Sequence, residues 1–132
     1  MLEARSWMEK EREGTIQSYR DLRIYQRSYE AALRIHQLTL QFPAFERGEL
    51  GSQLRRSSCS IPINIAEGYG RKKSSEDFKR FLVIALGSCD ETSVLLDFAR
   101  DLKYMDEKTH GDLKGEYAEI GKGINKLIQV WH

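Results

Sequence analysis

Residues 75 to 103 carry apolar side chains on two sides of one predicted helix, and this feature constrains the fold more than any other. One stripe runs from Phe78 to Ala99 and the other from Phe81 to Leu102, both at helical spacing. A helix in a bundle buries only one such stripe against its own neighbours. In a chain of 132 residues, the second stripe therefore predicts burial in another subunit. The residues expected at this oligomer interface are Phe81, Ile84, Leu95, Phe98 and Leu102.

Helical spacing recurs in three other segments, which predicts helices at about 20–41, 50–67 and 107–131 beside the one at about 75–103. No run alternates apolar and polar residues as a half-buried strand would. We therefore predict an all-α protein, an up-down antiparallel four-helix bundle over residues 20–132 that assembles into a ring-like homo-oligomer. Residues 1–19, rich in Glu, Lys and Arg, are expected to form a weakly packed N-terminal extension.

The second predicted helix contains a proline and ends in glycines. Pro62 cannot donate a backbone hydrogen bond and its ring crowds the preceding turn, so we expect a kink or a restart near Ser60. Asn64 and Glu67 are expected to bond groups that the bend exposes. Gly68 is expected to serve the turn that follows the helix.

Composition and hydropathy narrow the class of protein. The 21 Lys and Arg nearly balance the 20 Asp and Glu. The longest apolar run, Phe81 to Leu86, is far shorter than the ~18 residues of a membrane helix. The first residues lack the apolar stretch of a secretion signal, so the chain is predicted to be cytoplasmic and away from membranes. Cys59 and Cys89 are expected to be small core residues in a reducing compartment.

Positive charge concentrates in one half of the chain. Residues 20 to 80 hold twelve Lys or Arg against seven acids, whereas residues 81 to 132 hold six against nine. If the second and third helices are antiparallel, the cations near their junction gather at one end of the bundle, beside free amides at the start of the third helix. This arrangement predicts phosphate binding, and the alternative is a solvated face of ion pairs. The candidate nucleic-acid-binding residues are Arg55, Arg56, Arg71, Lys72, Lys73, Lys79 and Arg80, with Tyr69 as the one candidate base-stacking ring among them.

Catalytic and metal-binding patterns are weak. His36, on the inward stripe of the first helix, is expected to be a bonded core residue. Asp97 and Asp101 stand four residues apart, as cation ligands can, but nearby Arg100 and Lys103 favour ordinary surface pairing. The sequence therefore predicts no enzyme activity, no metal and no cofactor.

Four motifs carry a resemblance to a known family. They are the pair Phe42-Pro43, the run SQLRR at 52–56, the segment SIPxNIAEG at 60–68 and the pattern FxRFLxIAxGS at 78–88. In combination they resemble the bacterial four-helix-bundle family encoded within intervening sequences of large-subunit ribosomal RNA genes. The likeness is strong over the central third of the chain and weaker over the first and last helices.

The resemblance implies a ring-like homopentamer, similar to the accessory protein of diversity-generating retroelements, which binds nucleic acid and a reverse transcriptase. Together with the cations, it leads to the hypothesis of a non-enzymatic oligomeric bundle. Its partners would be RNA or single-stranded DNA, bound with little sequence specificity, and a nucleic-acid enzyme to which the bundle is an accessory. The alternative is a protein-interaction scaffold whose arginines serve subunit contacts and which binds no nucleic acid.

Overall fold

The computed structural model describes residues 16–132, and four long helices account for most of them. They are α1 (Arg23–Thr39), α2 (Leu50–Gly70), α3 (Ser75–Asp101) and α4 (Glu107–Val130), with a 3-10 turn at Tyr19–Asp21 and a one-turn helix at Ala44–Arg47. The prediction of four helices is confirmed, with bounds that differ by at most three residues. Most of the predicted N-terminal extension lies outside the described residues. The last residues of the extension contact the bundle, because the Tyr69 hydroxyl donates to the Ile16 carbonyl at 3.3 Å.

The helices form one bundle in which each packs against the next along the chain and α4 also contacts α1. The α4 seam is buried as its spacing predicts, from Leu113 through Tyr117, Ile120 and Ile124 to Leu127. Within residues 16–132 there is no strand. No helix in this part of the chain has the length and apolar character needed to cross a bilayer.

Gly68 lies where α2 and α3 approach each other closely. A Cβ built on it would stand 2.7 Å from the Phe81 Cβ and 3.0 Å from the Phe78 Cδ1. The predicted turn role is wrong, because α2 continues to Gly70 and Gly68 is a buried helical residue. The lack of a side chain, rather than backbone freedom, is what this position requires.

Helix α2 runs through Pro62 without interruption. The predicted restart near Ser60 does not occur, while a bend there stays a prediction. The Asn64 amide donates to the Ser60 carbonyl at 2.8 Å, so this side chain bonds backbone next to the proline, as predicted.

Two hydrogen bonds between side chains fix the register of α2 against α3. The Ser60 and Ser88 hydroxyls lie 2.8 Å apart, and the Thr92 hydroxyl donates to the Ser57 Oγ at 2.9 Å. These pairs run in opposite directions along the two helices, which are therefore antiparallel. Residues 57 and 92, and residues 60 and 88, lie at the same height in the bundle.

Helices α3 and α4 are joined by a cluster around Asp97. The His110 Nε2 lies 2.7 Å from the Asp97 Oδ1, and the Lys114 Nζ donates to the Asp97 Oδ2 at 3.2 Å. The hydrogen bond from His110, ahead of the one from Lys114, lowers the pKa of Asp97. Asp97 forms surface ion pairs, as predicted, but its partners are on α4 and not the nearby Arg100 or Lys103. Asp101 pairs with the neighbouring Arg100 at 3.0 Å, the ordinary surface pairing that was predicted.

This cluster predicts a pH dependence of stability. The pKa of Asp97 in the folded protein is below its unfolded value of 3.8. The stability that the Asp97 carboxylate contributes is therefore present above pH 3.8 and is lost as the pH falls through the folded pKa. The side chain is 40% exposed, so solvent screening limits the effect to a few tenths of a kcal/mol. Urea unfolding at pH 7 and near pH 3 should therefore show a smaller acid loss for Asp97→Asn than for the parent. Asp112→Asn, which removes an exposed ion pair within α4, should leave the acid loss nearly unchanged; equal acid loss in the parent and Asp97→Asn would contradict the assignment.

Candidate nucleic-acid interface

One end of the bundle is built on a cluster of aromatic rings. The end of α2, the start of α3 and the end of α4 meet there through Tyr69, Phe78 and Trp131. The Phe78 and Trp131 ring centres lie 4.8 Å apart, and the Tyr69 and Phe78 centres 5.9 Å apart, both edge to face. This packing holds the junction between α2 and α3 in place.

Cations lie on the aromatic rings of this end. The guanidinium carbons of Arg71 and Arg80 stand 5.3 and 4.8 Å from the Phe81 ring centre. The Lys72 Nζ stands 4.4 Å from the Tyr69 ring centre. Such contacts order a cation without neutralising it, because the ring carries no net charge. We call Arg71, Lys72, Lys73, Lys79 and Arg80 the basic cluster.

The basic cluster is little neutralised by carboxylates. Within residues 16–132, its ion pairing is limited to Arg80 with Asp77, at 3.5 Å and more than 40% exposed on both sides. Exposed pairs of this kind contribute little. Most of the positive charge at this end therefore faces solvent.

Sequence reasoning also missed Arg20 and Arg23, which lie at this end. The start of α1 lies beside the end of α2, which brings Arg20 and Arg23 to the same end as the basic cluster. The Arg20 guanidinium lies over the Tyr19 ring at 4.7 Å from its centre. The sequence could have indicated them, because an α1 antiparallel to α2 places the arginines at its start near the end of α2.

Arg55 and Arg56 do not belong to this surface. They lie in the second turn of α2, sixteen residues before Arg71 in the case of Arg55, or about 24 Å along a helix. The Arg55 guanidinium donates to the Thr39 Oγ1 and to the Arg47 carbonyl, each at 2.8 Å. The prediction that all seven cations share one bundle end is wrong, and Arg55 is a structural residue that joins α1 to the following loop.

Two other expectations for this end need correction. Tyr69 is 5% exposed, so its ring is not a free stacking platform for bases. At the start of α3, the Ser74 Oγ accepts from the Asp77 amide at 3.1 Å. Acidic Glu76 and Asp77 occupy the first turn, so the cations, rather than the start of α3, are the groups at this end that suit an anion.

The residues predicted at the oligomer interface divide into two groups. Phe81 and Leu95 are each 8% exposed and pack inside their own bundle, so they are not available to a second subunit. Ile84, Phe98 and Leu102 are 44–56% exposed. Two valines that the sequence analysis did not select complete this surface. The α3 face consists of Val83, Ile84, Val94, Phe98 and Leu102.

A second apolar surface is the groove between α1 and α2, with a volume of about 560 Å³. His36 and Cys59 line it and are exposed, so the prediction of both as core residues is wrong. Cys89 is buried as expected, and burial raises the pKa of its thiol to about 12. We call this surface the α1–α2 groove; its lining includes Tyr25, Tyr29, Leu33, His36, Cys59 and Ile63.

No group of three or more metal-ligating side chains exists within the part of the chain that the structure describes. Asp97 and Asp101, which stand at a spacing that cation ligands can have, each form an ion pair with a cationic side chain. The basic cluster is therefore the strongest candidate site.

Comparison with family models decides what kind of bundle this is. The model of the 23S rRNA-intervening sequence protein matches residues 20–126. The chain belongs to this family. The matched range begins beside Tyr19 and includes all four helices up to the last turn of α4.

Solved structures agree with the family assignment. A crystal structure of a protein of unknown function from the S23 ribosomal protein family of Bacteroides thetaiotaomicron has 28% sequence identity and a TM-score of 0.71. The alignment covers 81% of this chain and 99% of that chain. A search of curated proteins finds no match.

Proposed function

We propose that this member of the family is a non-enzymatic, self-associating cytoplasmic bundle. In this proposal the basic cluster binds the phosphate backbone of RNA or single-stranded DNA with little sequence specificity. The observation that carries the proposal is the placement of Arg71, Lys72 and Arg80 on aromatic rings, where they are ordered but remain charged. Phosphate contacts require positioned cations and carry no sequence information.

The surroundings support backbone rather than base recognition. Tyr69 and Phe81 at this end are buried and have cations on their rings. Base stacking needs an exposed ring face, so we expect affinity to follow phosphate density rather than base identity. An accessory role beside a nucleic-acid enzyme would fit such sequence-independent binding.

The salt dependence of binding tests this function. If the five cations each neutralise one phosphate, the logarithm of the binding constant should fall with the logarithm of salt concentration at a slope of about −4.5 on a duplex and about −3.5 on a single strand. Replacing Arg71, Lys72 and Lys73 by alanine should reduce the duplex slope to about −2. Fluorescence anisotropy with a labelled RNA duplex and a labelled single strand measures both slopes.

A matched variant controls for total charge. Arg34, Lys103 and Lys108 are exposed and lie in the second half of α1 and at the junction of α3 and α4, away from the basic end, and their replacement by alanine also removes three positive charges. This control should keep the parent slope. Equal slopes in the two triple variants would refute the basic cluster as the phosphate-binding surface.

The second candidate is a protein-interaction scaffold without nucleic-acid binding. The α3 face favours it, because an exposed apolar helix face marks a contact surface. The two candidates separate in the same assay, since a scaffold shows no binding to either oligonucleotide at low salt.

A further inference from the structure

The large exposed apolar side chains of the described residues lie on two sides of the bundle, and α4 carries none of them. Five form the α3 face. On α1, Tyr29, Leu33 and Leu40 follow one another at spacings of four and seven, which puts them on one helix side. Ile63 of α2 lines the groove beside them, and Phe45 lies in the one-turn helix beyond Leu40. The bundle thus has two different apolar surfaces, one a helix ridge and the other a groove.

The two surfaces lie at the same height along the bundle. The pairs Ser60 with Ser88 and Ser57 with Thr92 set the register of α2 against α3. In this register, Ile63 is level with residues 84–87 of α3, and Arg56 is level with residues 91–93. The groove brings α1 to the same stretch of α2, because its lining pairs residues 25–36 with residues 59–67.

We propose that the α3 face of one copy packs into the α1–α2 groove of a second copy, with the two bundles side by side and pointing in the same direction. This inference rests on the self-association in the proposed function. An α3–α3 contact would cover the ridge and leave the groove exposed. A ridge-to-groove contact covers both, and because each copy offers both surfaces, it repeats from copy to copy. Bundles that point the same way place every basic cluster at the same end of that assembly.

Charge complementarity supports this pairing. Glu91 lies within the α3 face, between Ile84 and Phe98, and Arg56 lies on the outer side of α2 beside the groove. Both are exposed, and neither has an ion-pair partner within residues 16–132. Because they lie at the same height, side-by-side copies bring the Glu91 carboxylate of one to the Arg56 guanidinium of the next. This contact also gives Arg56 a role away from the basic cluster.

Gly87 adds shape complementarity. It is exposed on the α3 face, and a Cβ built there meets nothing within 4 Å. Inside its own bundle, no neighbour therefore requires glycine at this helical position. On the ridge it leaves a notch level with Ile63, into which the Ile63 side chain of the next copy fits.

A large side chain at Gly87 tests the pairing. Gly87→Trp fills the notch but meets open space in its own bundle, and tryptophan is the better helix former. We expect light scattering to give the 15.3 kDa mass of one chain, with an unchanged circular dichroism spectrum. Gly115→Trp is the matched control, because Gly115 is equally open but lies on α4, and it should leave the assembly intact.

A charge swap provides a second, independent test. Glu91→Arg and Arg56→Glu should each raise the dissociation constant of the assembly about tenfold or more. The double variant should recover most of the parent affinity. Restoration is not expected if the two residues do not meet. If the parent is assembled and neither Gly87→Trp nor the charge swap behaves as described, the pairing is wrong while self-association stands. If the parent is itself monomeric, the self-association in the proposed function fails first.

Discussion

Replacing Gly68 by alanine should lower the free energy of unfolding by about 2–3 kcal/mol. The added Cβ would stand 2.7 Å from the Phe81 Cβ and 3.3 Å from the Phe78 carbonyl oxygen. Neither atom is the end of a flexible side chain, so α2 and α3 must move apart. Their separation would loosen the interface that holds the basic cluster. Urea unfolding followed by circular dichroism measures the change.

Gly115→Ala is the matched control for this substitution. Gly115 is also helical, but an added Cβ meets nothing within 4 Å. Alanine has the higher helix propensity, so the free energy of unfolding should rise by up to about 1 kcal/mol. A Gly68→Ala variant as stable as Gly115→Ala would contradict the close approach of the two helices.

Replacing Tyr117 by phenylalanine should raise the free energy of unfolding by about 1–2 kcal/mol. The Tyr117 hydroxyl is buried and has no hydrogen-bond partner among the described residues. Burial also raises the pKa of the phenol, which therefore stays protonated at neutral pH. Phenylalanine lacks the hydroxyl, so the free-energy cost of burying a polar group without a hydrogen bond disappears, while the ring stays in place.

Tyr104→Phe is the comparison for this gain, because the Tyr104 hydroxyl donates to the Glu46 Oε2 at 2.8 Å. Its loss should lower the free energy of unfolding. Opposite signs for the two substitutions are expected from thermal and urea unfolding. A loss of stability in Tyr117→Phe would show that its hydroxyl is satisfied in solution.

The helices were predictable because their signals are local. Helical spacing, Pro43 and the Ser74 cap act within a few residues, and the observed bounds follow them. The role of Gly68 was not predictable in this way, because its cause is the approach of Phe81 from another helix. A glycine at a helix end fits both a turn and a close contact, and the sequence does not separate the two.

The candidate site was predictable only near the junction of α2 and α3. Arg71, Lys72 and Lys73 are neighbours in sequence, so any short turn keeps them together. Arg55 and Arg56 were misplaced because a continuous 21-residue helix carries them to the other end of the bundle. His36 was misplaced for a related reason, since helical spacing identifies an apolar side but not whether another helix covers it.

The molar mass of the unmodified protein in dilute solution tests the central claim, that the apolar α3 face makes the assembly the functional form. Sedimentation equilibrium over falling protein concentrations measures it directly. The account predicts a multiple of 15.3 kDa that persists on dilution. A stable single-chain mass at every concentration, with Ile84 and Phe98 still exposed to solvent, would contradict it.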